Sequence, residues 1–104
     1  MLFIVSWTGH PEHRDATFAR FVKTGGAPPA GVKMLGRWHM VGRLGGFAIA
    51  EASDPILMQK WSMDWSDLMS MDVCPALVDD QAAPLIAAVV GKQSTPRGSK
   101  SAWS

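Results

Sequence analysis

Arg37, Trp38 and His39 stand in a row within LGRWHMVGRLGGFAIAE, the segment from Leu35 to Glu51. Arginine offers a planar fork of donors and histidine can gain or lose a proton near neutrality, so the pair can orient an anionic or carbonyl-bearing ligand. The competing reading is structural, with both side chains spent on backbone carbonyls or at a subunit contact. Glu51 closes the same segment and is a candidate acid or base, although the sequence places no second carboxylate beside it.

Other chemistry-bearing residues read more plainly. His10 and His13 sit three apart at a helix start, but no Cys or Asp follows at ligand spacing, so no metal site is assigned. Cys74 lies mid-strand without a basic neighbour in sequence and reads as a buried, inert thiol. Trp61 and Trp65, four apart, can stack on an aromatic ligand, yet Leu57 and Leu68 in register make them a core stripe. Asp64 and Asp67 read as solvated or capping charges. The chain carries no Gly-rich phosphate loop and no nucleophile triad, so no cofactor is implied.

Positioning these residues requires a small set of elements. Leu2–Thr8 is a β-rich apolar run. The segment from Pro11 reads as a helix, with Pro and acidic residues in its first turn, Phe18, Phe21 and Val22 on one face, and Gly25 and Gly26 as its stop. Val32–Val41 and Leu44–Ala52 read as strands joined by a tight Gly42-Arg43 turn. SDPILMQKWSMDWSDL opens with an Asp-Pro start signal and reads as a second long helix. Met69–Val78 is a fourth strand, and Asp79–Val90 a short alanine-rich helix in which Pro84 is tolerable only near the start. The predicted class is α+β, a ferredoxin-like β-α-β-β-α-β sandwich with an extra C-terminal helix.

A two-residue turn pairs Val41 with Leu44, His39 with Gly46, Arg37 with Ala48 and Leu35 with Ala50. The opposite face then carries Val32, Met34, Trp38, Met40, Phe47 and Ile49, the expected core beneath the helices. The face away from the helices is expected to hold Leu35, Arg37 and His39 over the small Ala48 and Ala50, a combination that leaves room for a cavity.

A chain of 104 residues, 47% of them hydrophobic, is enough for one domain with a buried core. One cysteine allows no intrachain disulfide, and nothing in the composition argues for an oxidising compartment, so the cytoplasm is the default expectation. Met1–Val5 is too short and too poorly flanked for a span or a signal. From Lys92 onward the chain is aperiodic. Pro96–Ser99 resembles the end of a thrombin site and Ser101–Ser104 the start of a streptavidin-binding tag, which divides the chain into a domain at 1–91 and a flexible, vector-derived tail at 92–104. Without Lys92, Arg97 and Lys100, seven basic residues face nine acidic ones, a balance unsuited to nucleic acid.

Thr24–His39, the GFAIAEASDP of Gly46–Pro55, the WSDL of Trp65–Leu68 and the PALVDDQAA of Pro75–Ala83 resemble a bacterial family of small proteins with a domain of unknown function, in the dimeric α/β-barrel superfamily. The doubled Gly25-Gly26, where that pattern has a single glycine, is a departure. The resemblance implies a homodimer closed through the open sheet faces, which a one-sided sheet also requires. The expected function is binding of a small organic, anionic ligand by Arg37, His39, Ala48, Ala50 and Glu51. A cofactor-independent oxygenase or isomerase, as in relatives of that superfamily, and a purely structural dimerisation module stay open beside it.

Overall fold

A computed structural model describes residues 1–93. In chain order it contains β1 (Leu2–Gly9), a single 3-10 turn (Pro11–His13), α1 (Arg14–Thr24), β2 (Val32–His39), β3 (Gly45–Ala52), α2 (Pro55–Met63), β4 (Met69–Ala76) and α3 (Asp79–Gln93). The strands form one sheet in the order β2-β3-β1-β4, antiparallel at every pairing. This α+β arrangement is compatible with the ferredoxin-like pattern expected from the order of elements.

Local chemistry sets most of the boundaries. Pro11 opens the 3-10 turn, where its missing N–H is not needed. Gly25 ends α1 in the left-handed conformation, φ 70°, with its N–H donating to the Phe21 carbonyl at 2.7 Å. The Asp54 carboxylate caps α2 by accepting from the Ile56 N–H at 2.9 Å. α2 is shorter than its apolar stripe predicts. After Met63 the chain tightens, the Trp65 N–H donating to the Ser62 carbonyl and the Leu68 N–H to the Trp65 carbonyl, so a turn delivers Trp65 and Leu68 to the interior.

The hairpin register is as the sequence predicts at its turn end, His39 opposite Gly46 and Arg37 opposite Ala48, although the strands stop short of Met40 and Leu44. Further along, a bulge between Met34 and Gly36 sets Met34, not Leu35, opposite Ala50. The assignment of faces holds for Val32, which is buried, and Met34, which packs against the core, but is reversed along β3 and at the turn end of β2. Ala48, Ala50 and Ala52 are buried in the core with Phe3, Val5, Met58, Trp61 and Trp65, Ala50 being 0% exposed. Trp38, 49% exposed, stacks on Phe47 on the open face, with ring centroids 5.2 Å apart.

Volume explains the reversal. The Trp61 and Met58 side chains of α2, with Trp65 just after it, fill the space between the layers, so β3 must contribute alanines there if the layers are to approach at native density. Cys74 follows the same alternation. It pairs with Ile4 on the open face and is exposed, not buried as expected.

α3 continues to Gln93, past the expected end at Val90, with Pro84 in its second turn. Its Leu85, Ile86, Val89 and Val90 are all exposed. The rest of the expected tail lies outside the described residues. Among the described residues, no helix is long and apolar enough to cross a membrane.

Candidate functional site: a cleft beneath α1

No residue of α1 is buried. Between this helix and the sheet end formed by the last residues of β1 and β2 and the first of β3 and β4 lies a cleft of about 530 Å³. Its walls are apolar and aromatic, built from Trp7, Phe21, Trp61, Trp65, Met69 and Met71. The remaining long side chains are basic: His10, Arg14, Arg37, His39 and Arg43 reach it, and no acidic residue does.

Two arginines hold α1 over this space. Arg20, from α1, grips Asp67 through two parallel bonds of 2.8 Å, donates to the Asp64 carbonyl at 2.9 Å, and lies over the Trp65 ring. The bidentate pairing holds the Asp67 carboxyl below its ordinary range, first through the hydrogen bonds and then through the charge of the guanidinium. Arg37, from β2, donates to the carbonyls of Gly26 at 2.8 Å and Gly25 at 3.0 Å, its guanidinium carbon 4.8 Å from the Phe21 ring centroid. It thereby places positive charge at the carboxyl end of α1, where the helix dipole favours it.

Gly26 is required by this contact. Its φ is +61°, and a Cβ there would sit 2.6 Å from Arg37 Nη1. The doubled glycine is thus the seat of the Arg37 clasp. Gly46 is required by close approach alone, because a Cβ there would meet the Trp38 carbonyl oxygen and lie 2.8 Å from the Trp7 ring.

His39 stands edge-on between Trp7 and Phe21, with centroids 5.6 and 5.7 Å away. Among the described residues its ring has no hydrogen-bond partner. On the adjoining wall, the Thr17 hydroxyl of α1 is buried and also unpartnered. An unmade bond of this kind costs about 1–3 kcal/mol, a penalty that a bound polar group would remove. His10 Nε2 lies 3.4 Å from the Ser70 hydroxyl, and its ring meets His13 edge-on.

The five residues singled out in the sequence therefore divide. Arg37 and His39 meet at one cleft, on the helix side of the sheet and not on the open side. Ala48 and Ala50 lie in the core and line no part of it, while Glu51, exposed, alternates onto the opposite face with Leu2 and Lys33. The anionic partner expected for Arg37 is replaced by the two glycine carbonyls. Trp61 and Trp65 serve both readings, being core residues that also wall the cleft.

A family model described as a domain of unknown function, DUF3303, matches residues 1–90. The chain belongs to this family. The match spans all four strands, α1, α2 and most of α3, so every cleft residue of this DUF3303 domain falls within it. No curated protein matches the chain.

Thr17 and Arg43 were not singled out as functional in the sequence. Arg43 reads there only as a turn residue, and Thr17 lies on a helix whose contact with the sheet cannot be seen from its own periodicity. Phe21, which reads as part of a packed face, does pack against the core and also lines the cleft.

Proposed function

We propose that this DUF3303 domain binds a small organic molecule in the cleft beneath α1. The observation that carries this reading is a space of about 530 Å³ under a helix suspended by two arginine clasps, with aromatic walls, the exposed His39 ring at its edge and, among the described residues, a buried unpartnered hydroxyl on Thr17. Small-molecule sites have volumes of about 300–1,000 Å³ and combine mostly apolar walls with a few convergent polar groups. Acid-base catalysis has less support, because among the described residues no acidic side chain lines the cleft beside His39.

The test is a fragment screen by ligand-observed NMR on the wild-type domain and on Thr17→Phe, which fills the cleft from the lightly packed helix. Hits that bind the wild type and disappear in a folded Thr17→Phe protein support the reading. The same hits in both proteins, or none in either, overturn it.

We also infer that the domain is a homodimer, closed through the open sheet face as a dimeric α/β barrel. Supporting this are the exposed Ile4, Trp38 and Phe47 on one side of the sheet, with Leu35 exposed at the bulge. A lone domain would leave this apolar surface in water. Native mass spectrometry at micromolar concentration is expected to give a dimer that Leu35→Asp weakens. Monomer alone in the wild type would refute the assembly.

A further inference from the structure

We propose that the ligand of the α1 cleft is an aromatic monocarboxylate, its ring stacked against the aromatic lining at Trp7 and His39 and its carboxylate met by Arg43. This rests on the cleft being a binding site and adds the chemical class of what it takes.

The charge comes from an accounting of the guanidinium groups that reach the cleft. Arg14 is engaged by its neighbour Asp15 at 3.1 Å. Arg37 is engaged by the Gly25 and Gly26 carbonyls and cannot leave them without releasing the end of α1. Arg43, exposed at the β2–β3 turn, is the one arginine of the lining without an ion pair or side-chain hydrogen bond among the described residues. A single free guanidinium matches a single negative charge, and its planar fork fits the two oxygens of a carboxylate. A dianionic phosphate would call for a second free guanidinium, and Arg14 and Arg37 are both engaged.

The ring comes from the walls. His39 meets Trp7 and Phe21 edge to face, at interplanar angles of 80° and 86°, and Arg37 lies over the Phe21 ring, so the ring surface left to a ligand is on Trp7 and His39. A flat aromatic body can stack on such a surface. The buried Thr17 hydroxyl, on the α1 wall, marks where that body carries a second polar substituent.

Three probes separate these elements: 2-naphthoate, its neutral counterpart 2-naphthalenemethanol, and 6-hydroxy-2-naphthoate, each titrated against the whole protein by tryptophan fluorescence and calorimetry. The naphthoate is expected to bind about tenfold more tightly than the alcohol, as one charge-assisted contact allows. Arg43→Gln should remove that preference while leaving affinity for the alcohol unchanged. Thr17→Val should remove any gain from the 6-hydroxyl without altering binding of 2-naphthoate. Equal affinity for acid and alcohol, or a preference that survives in Arg43→Gln, would overturn the carboxylate assignment and leave the cleft reading standing. Failure of all three probes to bind, alongside fragment hits that are insensitive to Thr17→Phe, would overturn both.

Discussion

The two helices that flank the sheet are attached in opposite ways. α2 places Met58 and Trp61 in the core against Ala48, Ala50 and Ala52, and the chain just beyond it adds Trp65 and Leu68. α1 buries none of its residues, leaves Phe18 52% exposed, and is tied down by Arg20 and Arg37. Packing by volume is tolerant of small lateral adjustment but excludes space; directional bonds at a few points fix a helix while leaving space beneath it. The first arrangement stabilises the domain, and the second creates a cleft.

Removing volume beneath α2 should therefore have the largest effect. Trp61→Ala is expected to cost about 3–5 kcal/mol, the range for deleting a buried large aromatic side chain, while Phe18→Ala in α1 should stay within about 0.5 kcal/mol. Urea denaturation of the two variants compares the helices directly. Similar losses at both positions would mean that α1 is packed after all.

Adding volume at the same interface comes next. Ala50→Leu should destabilise by about 1–3 kcal/mol, because the site has no space for three further carbons. This variant also separates the two assignments of the hairpin faces. If Ala50 floored an open cavity, as alternation and bulk alone suggest, the larger side chain would be accepted without loss. Thermal unfolding decides between them.

That misassignment shows where the sequence stops being informative. Alternation says which hairpin residues share a face, and it placed Arg37, His39, Ala48 and Ala50 together correctly. It does not say which face meets the helices. Bulk suggested the face of Trp38, Phe47 and Ile49, but the bulk at this interface comes from Trp61, Trp65 and Met58, more than a strand away in sequence. The Gly25 stop, the Asp54 cap and the order of elements were legible because each depends on neighbours a few residues apart. The bulge at Leu35, the exposed Cys74 and the Arg20–Asp67 pair were not, since each is settled by a partner brought in by the fold.

The Arg37 clasp should rank third. Arg37→Ala leaves two glycine carbonyls without their charged donor and should cost about 2 kcal/mol, from bonds of the charge-assisted kind. Its signature is local. Hydrogen exchange should quicken in α1 and the Gly25–Gly26 stop while α2 keeps its protection. Arg37→Lys should not restore it, because one ammonium cannot reproduce a fork that spans two carbonyls. Equal loosening of both helices would show that Arg37 supports the core and not the suspended helix.

The Arg20–Asp67 clasp should have the smallest effect, because the carboxylate is exposed and solvent screens it. Its contribution has a definite pH sense. Hydrogen bonds from Arg20, followed by its charge, hold the folded-state pKa of Asp67 below its ordinary value. A carboxyl with a depressed pKa stabilises the folded state fully above its unfolded pKa of about 3.9, and that contribution is lost as pH falls through the folded value. Asp67→Asn should therefore lower the melting temperature by about 2 °C or less at pH 7, the difference shrinking as pH is taken below 4. Raising the salt concentration at pH 7 should shrink it too, whereas salt should leave the Trp61→Ala deficit nearly unchanged, which contrasts the two modes of helix attachment within one pair of measurements. A difference that persisted below the folded pKa would mean that the substitution disturbs the turn at Asp64–Leu68 and not the charge pair, and the suspension of α1 would then rest on Arg37 alone.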